Sequence, residues 1–97
     1  MGMLLTVGRE HPSLDGHFPG QPIVPAVVIL NLVIQSVESA YPQQRVTGVK
    51  RVKWLRPLLP DAVCELEIEK PHNGRLRFRC HLAGELIAEG NLLCTER

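Results

Sequence analysis

A chain of 97 residues with a formal net charge of +1 amounts to one domain, and its charge balance gives no general pull toward nucleic acid or a membrane surface. Its 44% hydrophobic and 22% charged residues are ordinary for a water-soluble globular protein, and the four aromatics (Phe18, Tyr41, Trp54, Phe78) are too few for a base-stacking surface. A core this small favours association with a second subunit.

The first element expected is a short strand over Met3 to Val7. The N-terminal residues lack a basic stretch followed by a long apolar one, so no signal peptide is expected, and a cytoplasmic location follows. From His11 to Pro25 the chain is a loop rich in Gly and Pro, with His17 between Gly16 and Phe18-Pro19-Gly20. Glycines allow tight or positive-φ geometry, and prolines fix φ, so the loop is stiff without being regular. Such a loop can present an imidazole at the mouth of an apolar element as a general base, although a loop histidine with no role has the same appearance.

The next segment, from Pro25 or Ala26 to about Ala40, is apolar and rich in β-branched residues. It runs for about fifteen residues without a turn signal, too long for an ordinary strand. Pro25 suits a helix start, and Asn31, Gln35 and Glu38 recur at helical spacing, so a helix of roughly 22 Å is expected. A helix apolar almost all round should be buried on most sides. The run from Val24 to Ile34 is interrupted by Asn31 and is too short to cross a membrane.

Tyr41 and Pro42 end the helix. Val46 to Leu55 alternates unevenly and closes at the turn Pro57-Leu58-Leu59-Pro60-Asp61. Val63 to Glu69 alternates cleanly, Asn73-Gly74 marks a hairpin, Leu76 to Leu82 forms the next strand, and Leu86 to Cys94 follows the turn at Ala83-Gly84-Glu85. Glu65, Glu67 and Glu69 can pair across strands with Arg75, Arg77 and Arg79. His72 and His81 are given no role. The three cysteines, Cys64, Cys80 and Cys94, are far apart and form no metal-ligand spacing, so free thiols, no metal and no cofactor are expected. One strand, one long helix and a meander of about four strands make an α+β domain, residues 1–97, in which one antiparallel sheet of about five strands wraps a central helix.

The stretch Gly16-His17-Phe18-Pro19-Gly20-Gln21-Pro22-Ile23-Val24-Pro25-Ala26-Val27 resembles the active-site signature of the 3-hydroxyacyl-[acyl-carrier-protein] dehydratases, which have the hotdog fold. Val52-Lys53-Trp54-Leu55-Arg56-Pro57, with the turn through Asp61, is similar to that family's basic strand and proline turn, and Gly84 and Ala88-Glu89-Gly90 also fit. The chain looks like the compact branch associated with specialised lipid or aryl-polyene gene clusters.

The resemblance implies a dimer with a substrate tunnel at the subunit interface, either a homodimer or a heterodimer with a related hotdog subunit. It implies catalysis by His17 as base, thioester binding by Phe18, Gly20, Pro25, Ala26 and Val27, and a helix amide near Ala26 or Val27 polarising the thioester carbonyl. The substrate would be an acyl chain on phosphopantetheine of an acyl carrier protein, or on coenzyme A. The helix position that carries an acid in the family falls on Asn31, which cannot donate a proton as an acid. Three functions therefore stay open: a dehydratase with an altered acid, an acyl thioesterase, and a non-catalytic carrier binder or heterodimer partner of an active dehydratase. Arg51, Lys53 and Arg56, within a basic run that includes Arg45 and Lys50, either dock an acidic carrier protein or form a solvated sheet face.

Overall fold

The computed structural model describes residues 2–8 and 23–97; His17, Phe18 and Gly20 lie outside the described residues. The elements, in chain order, are β1 (Gly2–Thr6), α1 (Ala26–Ala40), β2 (Gln44–Trp54), β3 (Val63–Ile68), β4 (Arg75–Leu82) and β5 (Glu85–Glu96). All five strands join one antiparallel sheet in the order β1-β3-β4-β5-β2, which leaves β1 and β2 at its edges. One long helix against a five-stranded antiparallel sheet is the hotdog arrangement expected from the sequence.

The helix forms despite its β-branched residues because packing of an apolar face outweighs intrinsic propensity. Ile29, Val33 and Val37, four residues apart, are its buried stripe. They join one core with Cys64, Leu66 and Ile68 of β3, Leu76, Phe78 and Cys80 of β4, and Ile87, Ala88 and Leu92 of β5. The clean alternation of β3 is realised: its even-numbered residues face the core, and Glu65 and Glu67 face outward. The rest of the helix is less covered than its composition suggests. Val28, Leu30, Leu32 and Ile34 are half-buried, and Val27, Asn31, Gln35 and Ser39 form an exposed stripe.

Strand β1 begins and ends one residue earlier than expected. Val7 lies past the ladder yet is buried, and its carbonyl accepts a hydrogen bond from the Asp61 amide at 2.8 Å. The uneven alternation of β2 has a physical cause in two register shifts against β5, between Val46 and Gly48 and between Val49 and Arg51. The outer-face pairing of acids and bases is partly as expected. Glu67 lies opposite Arg79, but the ion pair of Arg77 is with Glu89 on β5, at 3.6 Å.

All three cysteines are free and buried. The hydrogen bond between the Cys64 and Cys80 thiols, together with burial, pushes Cys80 well above the ordinary thiol range, and burial pushes Cys94 up as well. Thiols held protonated in this way are packing groups. Among the described residues, no cluster of His, Cys, Asp or Glu could hold a metal, and no helix is long and apolar enough to cross a membrane.

Both tight hairpins need left-handed backbone. Asn73 (φ 51°) and Gly74 (φ 74°) supply it with suitable residues, whereas Ala83 (φ 51°) precedes Gly84 (φ 81°) and pays the Cβ penalty. Ala83→Asn should therefore raise stability by about 1 kcal/mol, read as a shift in urea midpoint at constant slope. Gly90 is required for another reason. A Cβ there would sit 2.5 Å from the Arg51 carbonyl oxygen and 3.0 Å from the Val52 Cα, both backbone atoms. Gly90→Ala should cost about 1–3 kcal/mol in the same measurement, and an unchanged midpoint would show that β2 moves away freely.

Candidate active site

An open groove of about 390 Å³ lies where the start of α1 meets the chain leaving β2. One wall is Ile23, Val24, Pro25, Ala26 and Ile29; the other is Trp54, Leu55, Arg56, Pro57 and Leu58. The walls are joined by a hydrogen bond from the Val24 amide to the Leu58 carbonyl at 2.9 Å, and Leu58 is buried beneath it. The proline turn after β2 thus fixes the place and angle at which the helix begins.

Pro25 is the N-cap residue, with φ −59° and ψ 143°. Its carbonyl accepts from the amides of Val28 at 3.0 Å and Ile29 at 3.3 Å. Proline has no side-chain acceptor, and no side chain caps the helix; its first turn also contains no acidic residue. The amides of Ala26 and Val27 consequently have no acceptor among the described residues. They stand at the positive end of a 15-residue helix, beside an apolar groove. This arrangement can receive a hydrocarbon chain and polarise a carbonyl oxygen at its end.

The sequence-predicted residues divide between several places. Pro25 and Ala26 line the groove. Val27, at 62% exposure, stands at its edge without lining it. Asn31 is exposed one helical turn further along, on the same stripe as Val27, facing away from the chain's own core. Glu38 departs from that stripe: it is half-buried, accepts a hydrogen bond from the Val46 amide at 2.9 Å, and lies 3.7 Å from the Arg97 guanidinium. Its work is to tie the end of α1 to β2.

The three expected docking cations do not converge. Arg56 lines the groove and pairs with Glu85 at 2.7 Å, both side chains being more than half exposed, so the pair contributes little to stability. Lys53 is exposed opposite Glu89, and Arg51 stands in a separate cleft. Trp54 is 40% exposed and lines the groove. Its position just before a proline-rich turn was the available signal.

The profile of the ApeI-like family, described as ApeI dehydratase, matches residues 1–91. The 3-hydroxyacyl-[acyl-carrier-protein] dehydratase FabZ of Mannheimia succiniciproducens is 33% identical over 104 residues, covering 94% of this chain and 69% of that protein. The Klebsiella pneumoniae FabZ is 29% identical over 102 residues, covering 91% and 68%. Among solved structures, the dehydratase heterocomplex ApeI:P from Xenorhabdus doucetiae contains a chain that matches with TM-score 0.84 and 24% identity, over 96% of this chain and 84% of that one. An uncharacterised protein from Erwinia carotovora subsp. atroseptica matches with TM-score 0.85 and 21% identity, over 98% and 82%. The fluoroacetyl-CoA thioesterase FlK shares the fold more distantly, with TM-score 0.62 and 16% identity over 100% and 84%.

Trp54, the only tryptophan, reports on the groove. A medium-chain acyl thioester should change its emission saturably, and Ala26→Phe, which puts a ring into the groove mouth, should weaken that response at least tenfold. An unaltered titration in Ala26→Phe would place the acyl chain elsewhere.

Proposed function

The chain belongs to the ApeI-like dehydratase family, and from that premise we propose that it is a subunit of a 3-hydroxyacyl thioester dehydratase acting on chains carried by an acyl carrier protein or coenzyme A. The observation that carries this reading is the uncapped amino end of α1 opening on an apolar groove. Dehydration of a 3-hydroxyacyl thioester starts with loss of a weakly acidic α-proton, and the cost is the negative charge that develops on the thioester oxygen. In this proposal the amides of Ala26 and Val27 donate to that oxygen, and apolar walls keep water from competing.

In this reading His17 takes the α-proton, the C–H electrons move onto the thioester as an enolate, and their return expels the 3-hydroxyl. Phe18, Gly20 and Pro25 shape the passage around the chain. Hydroxide needs a proton to leave as water. Asn31 can donate a hydrogen bond to the hydroxyl but has no acidic proton to give. That proton therefore comes from the His17 imidazolium, which has just received one, or from an acid on another subunit.

Asn31 also supports a second reading, in which the chain works as the partner of a related hotdog subunit that carries the acid. Its exposure, on a helix face turned from its own core, suits a contact with a neighbouring subunit. The ApeI:P dehydratase is a heterocomplex of this fold. Residues 1–97 would then be one domain of a two-subunit cytoplasmic enzyme, with Arg56 at the groove, and Arg51 and Lys53 further along β2, facing an acidic carrier.

The test follows enoyl-thioester absorbance with the purified protein and a 3-hydroxyacyl carrier-protein thioester. Slow turnover is expected, reduced at least about 100-fold by His17→Ala and increased by Asn31→Glu, as expected for gain of a general acid. A wild-type protein that is silent alone and active in Asn31→Glu selects the partner reading. Release of free thiol without enoyl product would replace both with thioester hydrolysis.

A further inference from the structure

The helix-distal face of the sheet carries a second concavity, about 420 Å³, walled by Lys50 and Arg51 of β2, Arg75 of β4 and Asn91 of β5. We propose that this cleft is a binding site for a multiply charged phosphate group.

Three observations lead there. The first is the backbone. Successive side chains on a regular strand alternate between faces, so Lys50 and Arg51 would ordinarily point to opposite sides. The register shift between Val49 and Arg51 leaves Lys50 without a partner on β5, and both residues are exposed and line the same cleft. Gly90 makes this irregularity possible, because the Arg51 carbonyl occupies the space a Cβ would need.

The second is charge. Three of the described cations meet carboxylates, Arg77 with Glu89, Arg56 with Glu85 and Arg97 with Glu38. Lys50, Arg51 and Arg75 have no such partner among the described residues. Three like charges around one concavity repel one another, and a bound dianion would relieve that repulsion.

The third is donor chemistry. Asn91 lies opposite Arg51 on the outward side of β5, where the preceding outward residue is Glu89. An amide at this position adds a neutral donor in place of a carboxylate that would neutralise the cations. Two guanidinium groups, an ammonium and an amide match the oxygens of a phosphate, and the two arginines suit bidentate contact.

The site lies on the face opposite the α1 core, apart from the residues lining the groove; it shares only Arg51 with the proposed carrier-facing stretch, and binding of free pyrophosphate does not require the dehydratase reading. Its phosphate could be free or carried on a thiol ligand, and titration of the whole protein with inorganic pyrophosphate and, separately, with coenzyme A distinguishes the two. Saturable one-to-one binding at low ionic strength is expected for at least one of them by calorimetry, with a saturable rise in melting temperature. Arg75→Gln should weaken it at least tenfold, and Lys70→Gln, which removes an equal charge outside the cleft, should change it less than twofold. Tighter binding of pyrophosphate assigns a free anion; tighter binding of coenzyme A that is sensitive to Arg75→Gln assigns a carried one. Linear titrations with both probes, or equal losses in the two variants, would overturn the proposal.

Discussion

The site depends on one crossing: the Val24 amide bonded to the Leu58 carbonyl, with Leu58 buried below. Neither segment belongs to a helix or strand, so no ladder positions them relative to each other. Prolines on both sides restrict each backbone, Pro25 after Val24 and Pro57 before Leu58, which lowers the entropy lost in making the contact. From this crossing follow the start and direction of α1, the exposure of its first amides, and the width of the groove between Pro25 and Trp54. The second backbone tie, from Asp61 to Val7, holds the far end of the same turn to the segment after β1. The proline turn is therefore part of the site's framework as well as a connection between strands.

The arrangement also explains why the helix can be apolar beyond its buried stripe. A single helix on a single sheet can bury about one face, here Ile29, Val33 and Val37. Apolar residues on its flanks gain only partial cover, and Val27 gains very little. The same shortage appears on the wall opposite, where Trp54 and Leu55 remain substantially exposed. Val27, Trp54 and Leu55 cluster around the groove, whereas Leu4, Val49, Val63 and Leu93 are exposed elsewhere on the sheet.

Much of this was legible in the sequence, for reasons that differ by element. The period-two pattern of β3 and β4 survives in the structure because each strand has one buried and one wet face, and Asn73-Gly74 marks its hairpin because both positions are left-handed. The helix could be placed to its observed ends by length and the flanking prolines, although its residues favour strands. What could not be read was anything that depends on register. The bulges of β2 showed only as broken alternation, and although Arg77 does lie beside Glu69, its ion pair with Glu89 could not be foreseen, since sequence order says nothing of β5 on its other side. Glu38 was likewise indistinguishable from Asn31 as a polar helix residue until its bond to Val46 was seen. Of the candidate site, Pro25 and Ala26 were found by motif, and Trp54 was not, because its role arises where two distant segments meet.

Asn31 links these points to chemistry. A carboxyl group exposed near an apolar groove must lose part of its hydration when substrate or a partner covers it, and that desolvation is what raises its pKa far enough to act as an acid at neutral pH. Asparagine has no such dependence: it is neutral whether covered or not, and it costs far less to bury once its amide is hydrogen-bonded. On the proposed function, an asparagine in place of an acid would remove proton donation while easing closure of an interface on that helix face. A subunit selected for association, with its acid supplied elsewhere, loses nothing by that exchange. A subunit required to complete the elimination alone must return to the leaving hydroxyl the proton its own histidine removed, which places both proton transfers on one imidazole and demands that the α-hydrogen and the hydroxyl lie on the same face of the substrate.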